Sequence, residues 1–146
     1  LLKAEIADFM NDEAKKKNNL IAFSEAISNI KYGDMYNTYK IELYSDQKVL
    51  TEKAIELAIK EVENRPTAET YDLLAWSYLK NGDAKKALDI MQKHVVNKTS
   101  EPTAMYHLAE VYKANEKEEE AQKLKLELLD SAFELGPVSE MDIRKL

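Results

Sequence analysis

The sequence contains no cysteine, and this absence excludes several kinds of chemistry at once. Disulfide bridges, thiolate zinc sites and cysteine nucleophiles cannot occur. Glycine and proline are scarce, with three of each among 146 residues. Because an all-β fold needs many turns built on these residues, their scarcity favours a chain of long helices.

Long apolar runs are also missing. No stretch approaches the roughly 18 apolar residues that indicate a membrane span. The first ten residues include charges, so they lack the continuous apolar centre of a signal peptide. Because the chain starts at Leu1, we expect a processed precursor or a part of a longer protein. The compartment therefore stays open between the cytoplasm and export after removal of a targeting segment.

An excess of positive charge is absent as well. The chain has 27 acidic and 21 basic residues and a net charge of −6. A general nucleic-acid binder needs a basic face to displace counterions from phosphates, so this class is excluded. The hydrophobic content of 45% is enough for one well-buried domain. We therefore expect a soluble protein with a single domain over residues 1–146.

The chain does contain an internal repeat with an offset of 34 residues. Two large apolar and two small positions recur in the same register: Leu74, Ala75, Tyr78 and Ala87 become Leu108, Ala109, Tyr112 and Ala121. We predict clear copies at about 67–98 and 102–134, degenerate copies at about 1–31 and 34–64, and a tail at 136–146.

Apolar residues at i, i+3, i+4 spacing predict about eight helices in antiparallel pairs. Their predicted ranges are 3–12, 17–30, 35–45, 51–63, 67–80, 84–97, 103–114 and 117–134. Gly82 is suited to the left-handed conformation that ends a helix, and Asp83 is suited to the N-cap of the next one. Pro102 fits a first helical turn, where its missing N–H costs little.

These residues resemble the tetratricopeptide repeat family, whose 34-residue unit is a helix-turn-helix with small residues at fixed positions. The resemblance implies an all-α, right-handed α-solenoid of antiparallel helix pairs. It also implies that Ala75 and Ala87 are small because helices cross closely there, with Tyr78 filling the adjacent space. One departure is Glu116, which stands where the family usually has a glycine between the two helices.

In that family the first helix of each pair lines a concave face. The resemblance therefore implies a partner-binding groove that is mainly acidic, with aromatic side chains as anchors. Its residues would be Met35, Thr38, Glu42, Glu69, Asp72, Trp76, Lys80, Tyr106, Glu110 and Lys113. Such a groove favours a basic or amphipathic protein segment, and it disfavours the acidic C-terminal peptides that some family members bind.

No catalytic or metal-binding pattern is present, and we expect no cofactor. His94 and His107 lie on different helices, without an HExxH motif or a phosphate loop. For His107, one hypothesis is a pair with Asp72 that tunes the imidazole; the alternatives are a hydrogen bond between repeats or a free histidine. Trp76 either packs structurally against the next helix pair or contacts a ligand.

The last predicted helix carries a second apolar set, Leu126, Leu129 and Phe133. Either the tail folds back through Val138, Met141 and Ile143, or this face meets another subunit in a homodimer. From the sequence alone we predict a protein–protein interaction scaffold with no catalytic activity. The alternatives are a structural or oligomerisation segment of a larger, exported protein, and a small-ligand or enzymatic site in the groove.

Overall fold

The computed structural model describes residues 1–146, and it confirms the all-α prediction with nine helices and no strand. The helices are α1 (Leu2–Phe9), α2 (Glu13–Ile27), α3 (Asn37–Ser45), α4 (Thr51–Asn64), α5 (Ala68–Lys80), α6 (Ala84–His94), α7 (Pro102–Ala114), α8 (Glu118–Asp130) and α9 (Ala132–Ile143), with one short 3₁₀ turn at Ile30–Tyr32. None of these helices has the length and apolar character that crossing a membrane requires.

Most helices pack against the next helix along the chain. Extensive contacts join α1 to α2, α3 to α4, α4 to α5, α5 to α6 and α7 to α8. The first helices of neighbouring pairs also touch, since α5 contacts both α3 and α7. The last helix, α9, does not continue the series but returns to contact α1, α7 and α8. This return brings the C-terminal helix against the first helix of the chain.

The turns between paired helices follow the sequence signals. Gly82 has a φ of 93° and ends α5 in the left-handed region, as predicted. The Asp83 side chain accepts a hydrogen bond from the Lys86 backbone N–H at 3.0 Å, which confirms its N-cap role. Glu116 takes the same left-handed conformation, with a φ of 60°, in the equivalent turn before α8. The departure from glycine therefore does not change the shape of this turn.

The central core lies between the two clear repeats and is built around small residues. Ala75 and Ala87 are completely buried in one cluster with Met91, Val95 and Leu108. Tyr78 packs against this cluster from a partly buried position. Because alanine adds only a methyl group, the backbones of α5 and α6 can approach closely at these points.

The C-terminal part differs from the prediction of eight helices. The predicted helix 117–134 is divided, because α8 ends at Asp130 and α9 begins at Ala132. The expected tail is largely helical, interrupted only at Gly136, where φ is 82° and ψ is 168°. Since Pro137 follows this break, it starts a new helical turn, where its missing N–H leaves no bond unmade.

The C-terminal segment folds back onto the preceding helices, which is the first of the two arrangements considered from the sequence. Ile143 and Leu146 are buried in one cluster with Ala109 of α7 and Leu128 of α8. Of the other apolar side chains expected to drive this contact, Val138 is half-buried and Met141 is exposed. The fold-back therefore depends mainly on the last turn of the chain.

Candidate functional site

A single large groove of about 1040 Å³ runs between the N-terminal helices, the first helices of the later pairs and α9. Its wall combines charged groups with aromatic rings. Seven carboxylates outnumber three lysines among the lining residues: Glu5, Asp8, Glu13, Glu42, Asp46, Glu134 and Asp142 against Lys16, Lys17 and Lys80. The lining of the groove is therefore mainly acidic.

A buried pair of ionisable side chains supports the groove from below. Nδ1 of His107 on α7 lies 2.9 Å from Oδ2 of Asp72 on α5, and both side chains are almost fully buried. The Trp76 ring stacks on the imidazole, with 4.0 Å between centroids and an interplanar angle of 16°. His107 is therefore not free, and the pair fixes α5 against α7 where the groove passes.

The second oxygen of Asp72, Oδ1, is buried and has no hydrogen-bond partner. A buried polar atom without a partner is costly, because the water it has lost is not replaced. Asp72 therefore depends on the single contact to His107 for its compensation inside the protein.

Glu42 on α3 faces this pair from the groove side. Burial raises the pKa of its carboxyl, and the neighbouring acidic groups of Asp72 and Asp46 raise it further. The imidazole of His107 acts in the opposite direction and lowers the pKa. The Glu42 carboxyl is therefore partly desolvated, and a positive charge beside it would stabilise its ionised form.

A lysine of the chain already occupies part of the groove in this way. The Lys80 ammonium lies 4.4 Å from the centroid of the Trp76 ring and 3.3 Å from Oδ1 of Asp46. An ammonium over an indole face and beside a carboxylate is a favourable arrangement for a cation. The groove can thus hold a basic side chain, as the Lys80 contact demonstrates.

Tyr106 provides the second large ring of the groove. Its ring lies 6.1 Å from that of Trp76, and its hydroxyl donates to Glu110 at 3.4 Å. Burial raises the pKa of the Tyr106 hydroxyl far above its ordinary value, and the nearby carboxylates of Glu110 and Asp142 add to this effect. The hydroxyl therefore remains a hydrogen-bond donor.

Only some of the residues predicted for the concave face line the groove. Glu42, Trp76, Lys80 and Tyr106 do so. The other six lie elsewhere. Met35, before α3, and Glu69, in the first turn of α5, are exposed, Thr38 is half-buried and Asp72 is buried. Glu110 accepts a hydrogen bond from Tyr106, and Lys113 donates one to the Lys145 carbonyl. The fold-back of α9 occupies the end of the face where Lys113 lies.

Sequence reasoning missed the part of the groove that comes from the chain termini. Glu5 and Asp8 of α1 and Asp142 of α9 complete its acidic wall. No periodic signal could have placed them, because the N-terminal copy of the repeat is degenerate and α9 lies outside the repeat. Their position depends on the contact between α1 and α9.

Comparison with known proteins assigns the chain to a family. The model of a family described as "virulence factor membrane-bound polymerase, C-terminal" matches residues 6–97, which is more than half of the chain. The chain belongs to this family. A search of curated proteins and a search of solved structures gave no match. Within the membrane-bound polymerase family, the match covers nearly all of α1 to α6 and includes Glu42, Asp72, Trp76 and Lys80.

The family match overturns the tetratricopeptide assignment. It spans the N-terminal segments, where the 34-residue pattern is weakest, and nearly all of the first clear copy. The pattern misled because small residues such as Ala75 and Ala109 are required wherever helix pairs cross closely. It thus identified the packing of the helices but not the family, and shared packing does not imply shared function.

The family match also shows that the prediction of a non-enzymatic interaction scaffold is wrong. The matched family is a domain of a polymerase, which is an enzyme. The sequence contains no indication that the chain is part of an enzyme, since its 146 residues show neither a catalytic motif nor a metal-binding cluster. The alternative reading, a segment of a larger protein, fits the family better than the scaffold does.

Proposed function

We propose that the chain works as the C-terminal domain of a membrane-bound polymerase and is associated with the membrane as part of that enzyme. The single observation that carries this proposal is the family match over residues 6–97. In this role the domain makes contacts inside the enzyme or its assembly and does not act as an independent adaptor. Its contribution is then to the polymerisation that the whole enzyme carries out.

The groove is the surface through which we propose that the domain makes this contribution. Glu42 and Tyr106 offer a partly desolvated carboxyl and an aromatic ring, and aromatic rings are typical anchors at interfaces. The contacts of Lys80 with Trp76 and Asp46 support a positively charged occupant. The partner we propose is therefore a basic or amphipathic segment of the polymerase assembly itself.

We also propose that residues 1–146 form one domain in which the helix pairs continue as a right-handed α-solenoid. The contacts of α5 with both α3 and α7 support stacking in one direction, as do those of α4 with α5 and α6 with α7. The contact of α1 with α9 supports a single folded unit. This architecture would hold the groove rigid inside the larger enzyme.

The test uses the full-length polymerase that carries this domain. Glu42→Lys and Tyr106→Ala, introduced separately, should each reduce the yield or length of the polymer at unchanged enzyme level in the membrane. Glu42→Lys should have the larger effect, because it repels a basic segment. Glu56→Lys, on the exposed side of α4, is the charge-matched control and should leave polymerisation unchanged.

Circular dichroism and photo-crosslinking distinguish a lost contact of the groove from an unfolded domain. Circular dichroism of the isolated 146-residue variants must show unchanged helix content, so that unfolding is not mistaken for a lost contact. A photo-crosslinker at position 106 in the full polymerase should capture a lysine- or arginine-rich segment. Normal polymer from both groove variants, or capture of an acidic segment, would contradict the role proposed for the groove.

A further inference from the structure

The first helix exposes its largest apolar side chains to water. Leu2, Ile6, Phe9 and Met10 are 69, 51, 51 and 68% exposed, respectively, and they share one face because they follow the i, i+4, i+7, i+8 spacing of a helix. The opposite face of α1 is buried but carries only two alanines, at positions 4 and 7. This is the reverse of a water-facing helix, which buries its large apolar residues.

The exposed face is separate from the groove. The groove wall on α1 consists of Leu1, Ala4, Glu5 and Asp8, and it includes none of the four exposed apolar residues. A surface that covered the apolar face would therefore leave the groove open. The two features are able to serve different partners at the same time.

The N-terminal 32 residues carry no net charge. Residues 1–32 contain five lysines and five acidic residues and are neutral, so the whole net charge of −6 lies in residues 33–146. The lysines are Lys3, Lys15, Lys16, Lys17 and Lys31, and the acidic residues are Glu5, Asp8, Asp12, Glu13 and Glu25. Residues 1–32 therefore add no net repulsion from an anionic surface.

We propose that the apolar face of α1 lies on the lipid bilayer that holds the membrane-bound polymerase. The inference rests on the proposed function, because the family places this domain at the C-terminal side of a membrane-bound enzyme. Leu2, Ile6, Phe9 and Met10 would enter the interface, while Lys3 keeps its ammonium among the head groups.

Four side chains give weak binding by themselves, and the link to the membrane-bound part makes it effective. A tether converts docking into an intramolecular step with a high effective concentration. The bilayer is then the occupant that fits best, since a helix lying in the interface buries its apolar face without any complementary protein pocket. α1 would also orient the domain, with the acidic remainder directed away from anionic lipids.

The absence of cysteine makes a direct test simple. The 146-residue chain, carrying an N-terminal hexahistidine tag, is attached to vesicles of phosphatidylethanolamine and phosphatidylglycerol that contain a nickel-chelating lipid. A polarity-sensitive dye is placed on a single cysteine, either at Ile6→Cys on the apolar face or at Glu5→Cys on the groove side. The two positions are neighbours, so the tether affects both equally.

We expect the dye at position 6 to shift to shorter wavelength with a several-fold rise in intensity, and to be quenched by brominated lipids. The dye at position 5 should keep its emission in water. Adding Phe9→Ser and Met10→Ser to the first variant should abolish the shift, with helix content checked by circular dichroism. Equal responses at both positions, or none at position 6, would overturn the proposal.

The same variants separate the other possible outcomes. If the dye at position 6 responds to protein concentration without vesicles, a second copy of the chain covers the face and the bilayer does not. If polymerisation depends on the groove but position 6 stays in water on the vesicles, the proposed function holds and the membrane contact is wrong. If position 6 enters the bilayer but the groove variants polymerise normally, the groove role fails and the contact of α1 stands.

Discussion

At the scale of single residues, the environment of Glu42 disfavours the ionised form of its carboxyl. Its carboxyl is partly desolvated in the groove wall, and Asp72 and Asp46 add negative charge nearby. Both effects disfavour the ionised form, and together they exceed the opposing effect of His107. A site that is costly for the protein alone is favourable for binding a cation, because the ligand relieves the cost.

This environment predicts a pH-dependent effect of Glu42→Gln. The pKa of Glu42 is raised above its ordinary value of 4.5, so its contribution to stability is complete at low pH and is lost as the pH rises through the folded-state pKa. The amide cannot ionise, so the variant should melt at a higher temperature than wild type near pH 7. The difference should shrink as the pH falls below 4.5.

The matched control is Glu56→Gln, at an exposed position of α4. The effect of Glu56→Gln on the melting temperature should be small, and it should be similar near pH 7 and below pH 4.5. Thermal unfolding followed by circular dichroism measures both variants. A stabilisation by Glu42→Gln that is the same at both pH values would show that packing, and not ionisation, is responsible.

The buried pair of Asp72 and His107 was accessible from the sequence because the two residues are 35 positions apart, close to one repeat. Repeat spacing brings such positions onto adjacent helices, so proximity follows from the periodicity. The stacking of Trp76 on His107 gives the tryptophan a structural role, yet Trp76 also lines the groove. The structural hypothesis for Trp76 is therefore supported, and its contact with a ligand stays a prediction.

At the scale of helices, α5 is the element on which the fold depends most directly. Its residues from Asp72 to Ser77 are all buried, and it contacts α3, α4, α6 and α7. Ala75 is completely inaccessible to solvent, so a larger side chain at this position would collide with the neighbouring helices. The small residues that suggested the wrong family are thus explained by the close packing of α5 against its neighbouring helices.

Ala75→Leu should therefore destabilise the protein by about 1–3 kcal/mol, because overpacking forces side chains and backbone to move. Ala26→Leu, at an exposed position of α2, adds the same volume without this conflict and should change stability little. Urea unfolding of both variants would measure the difference. An unchanged midpoint for Ala75→Leu would mean that the crossing of α5 and α6 is looser than its burial indicates.

Helix boundaries were predictable where local chemistry sets them, and the last helix was not. Asp83 and Pro102 mark the starts of α6 and α7 through capping and a fixed φ angle. By contrast, Gly136 and Pro137 indicate a break, whereas α9 continues beyond it with one interruption. The burial of Ile143 and Leu146 against α7 and α8 stabilises this helix, and such a long-range contact leaves no local signal.

At the scale of the whole molecule, the C-terminal fold-back covers only part of the second apolar set. Leu129 packs against the cluster that contains Ile143, whereas Phe133 and Leu126 stay 83 and 68% exposed. Leu129→Lys would therefore disturb the fold-back and does not isolate a subunit contact. Phe133 and Leu126 are the appropriate positions at which to look for a homodimer.

If this surface forms a dimer, Phe133→Lys should shift the equilibrium to monomer, because a charge replaces the most exposed ring of the chain. Sedimentation velocity over a range of protein concentrations measures the shift. Glu127→Lys, exposed on α8, adds positive charge without removing apolar surface and should leave the equilibrium unchanged. Wild type that stays monomeric at every concentration would contradict the prediction of a dimer.

The contact between α1 and α9 has a consequence for how the molecule unfolds. In a linear stack of helix pairs each unit touches only its neighbours, so the terminal units fray first and separately. Here the Lys113 ammonium donates to the Lys145 carbonyl, and the C-terminal helix rests on both the first helix and the last pair. Release of either terminus exposes part of the other, so we expect loss of structure at one end to spread to the other and the chain to melt as one cooperative unit.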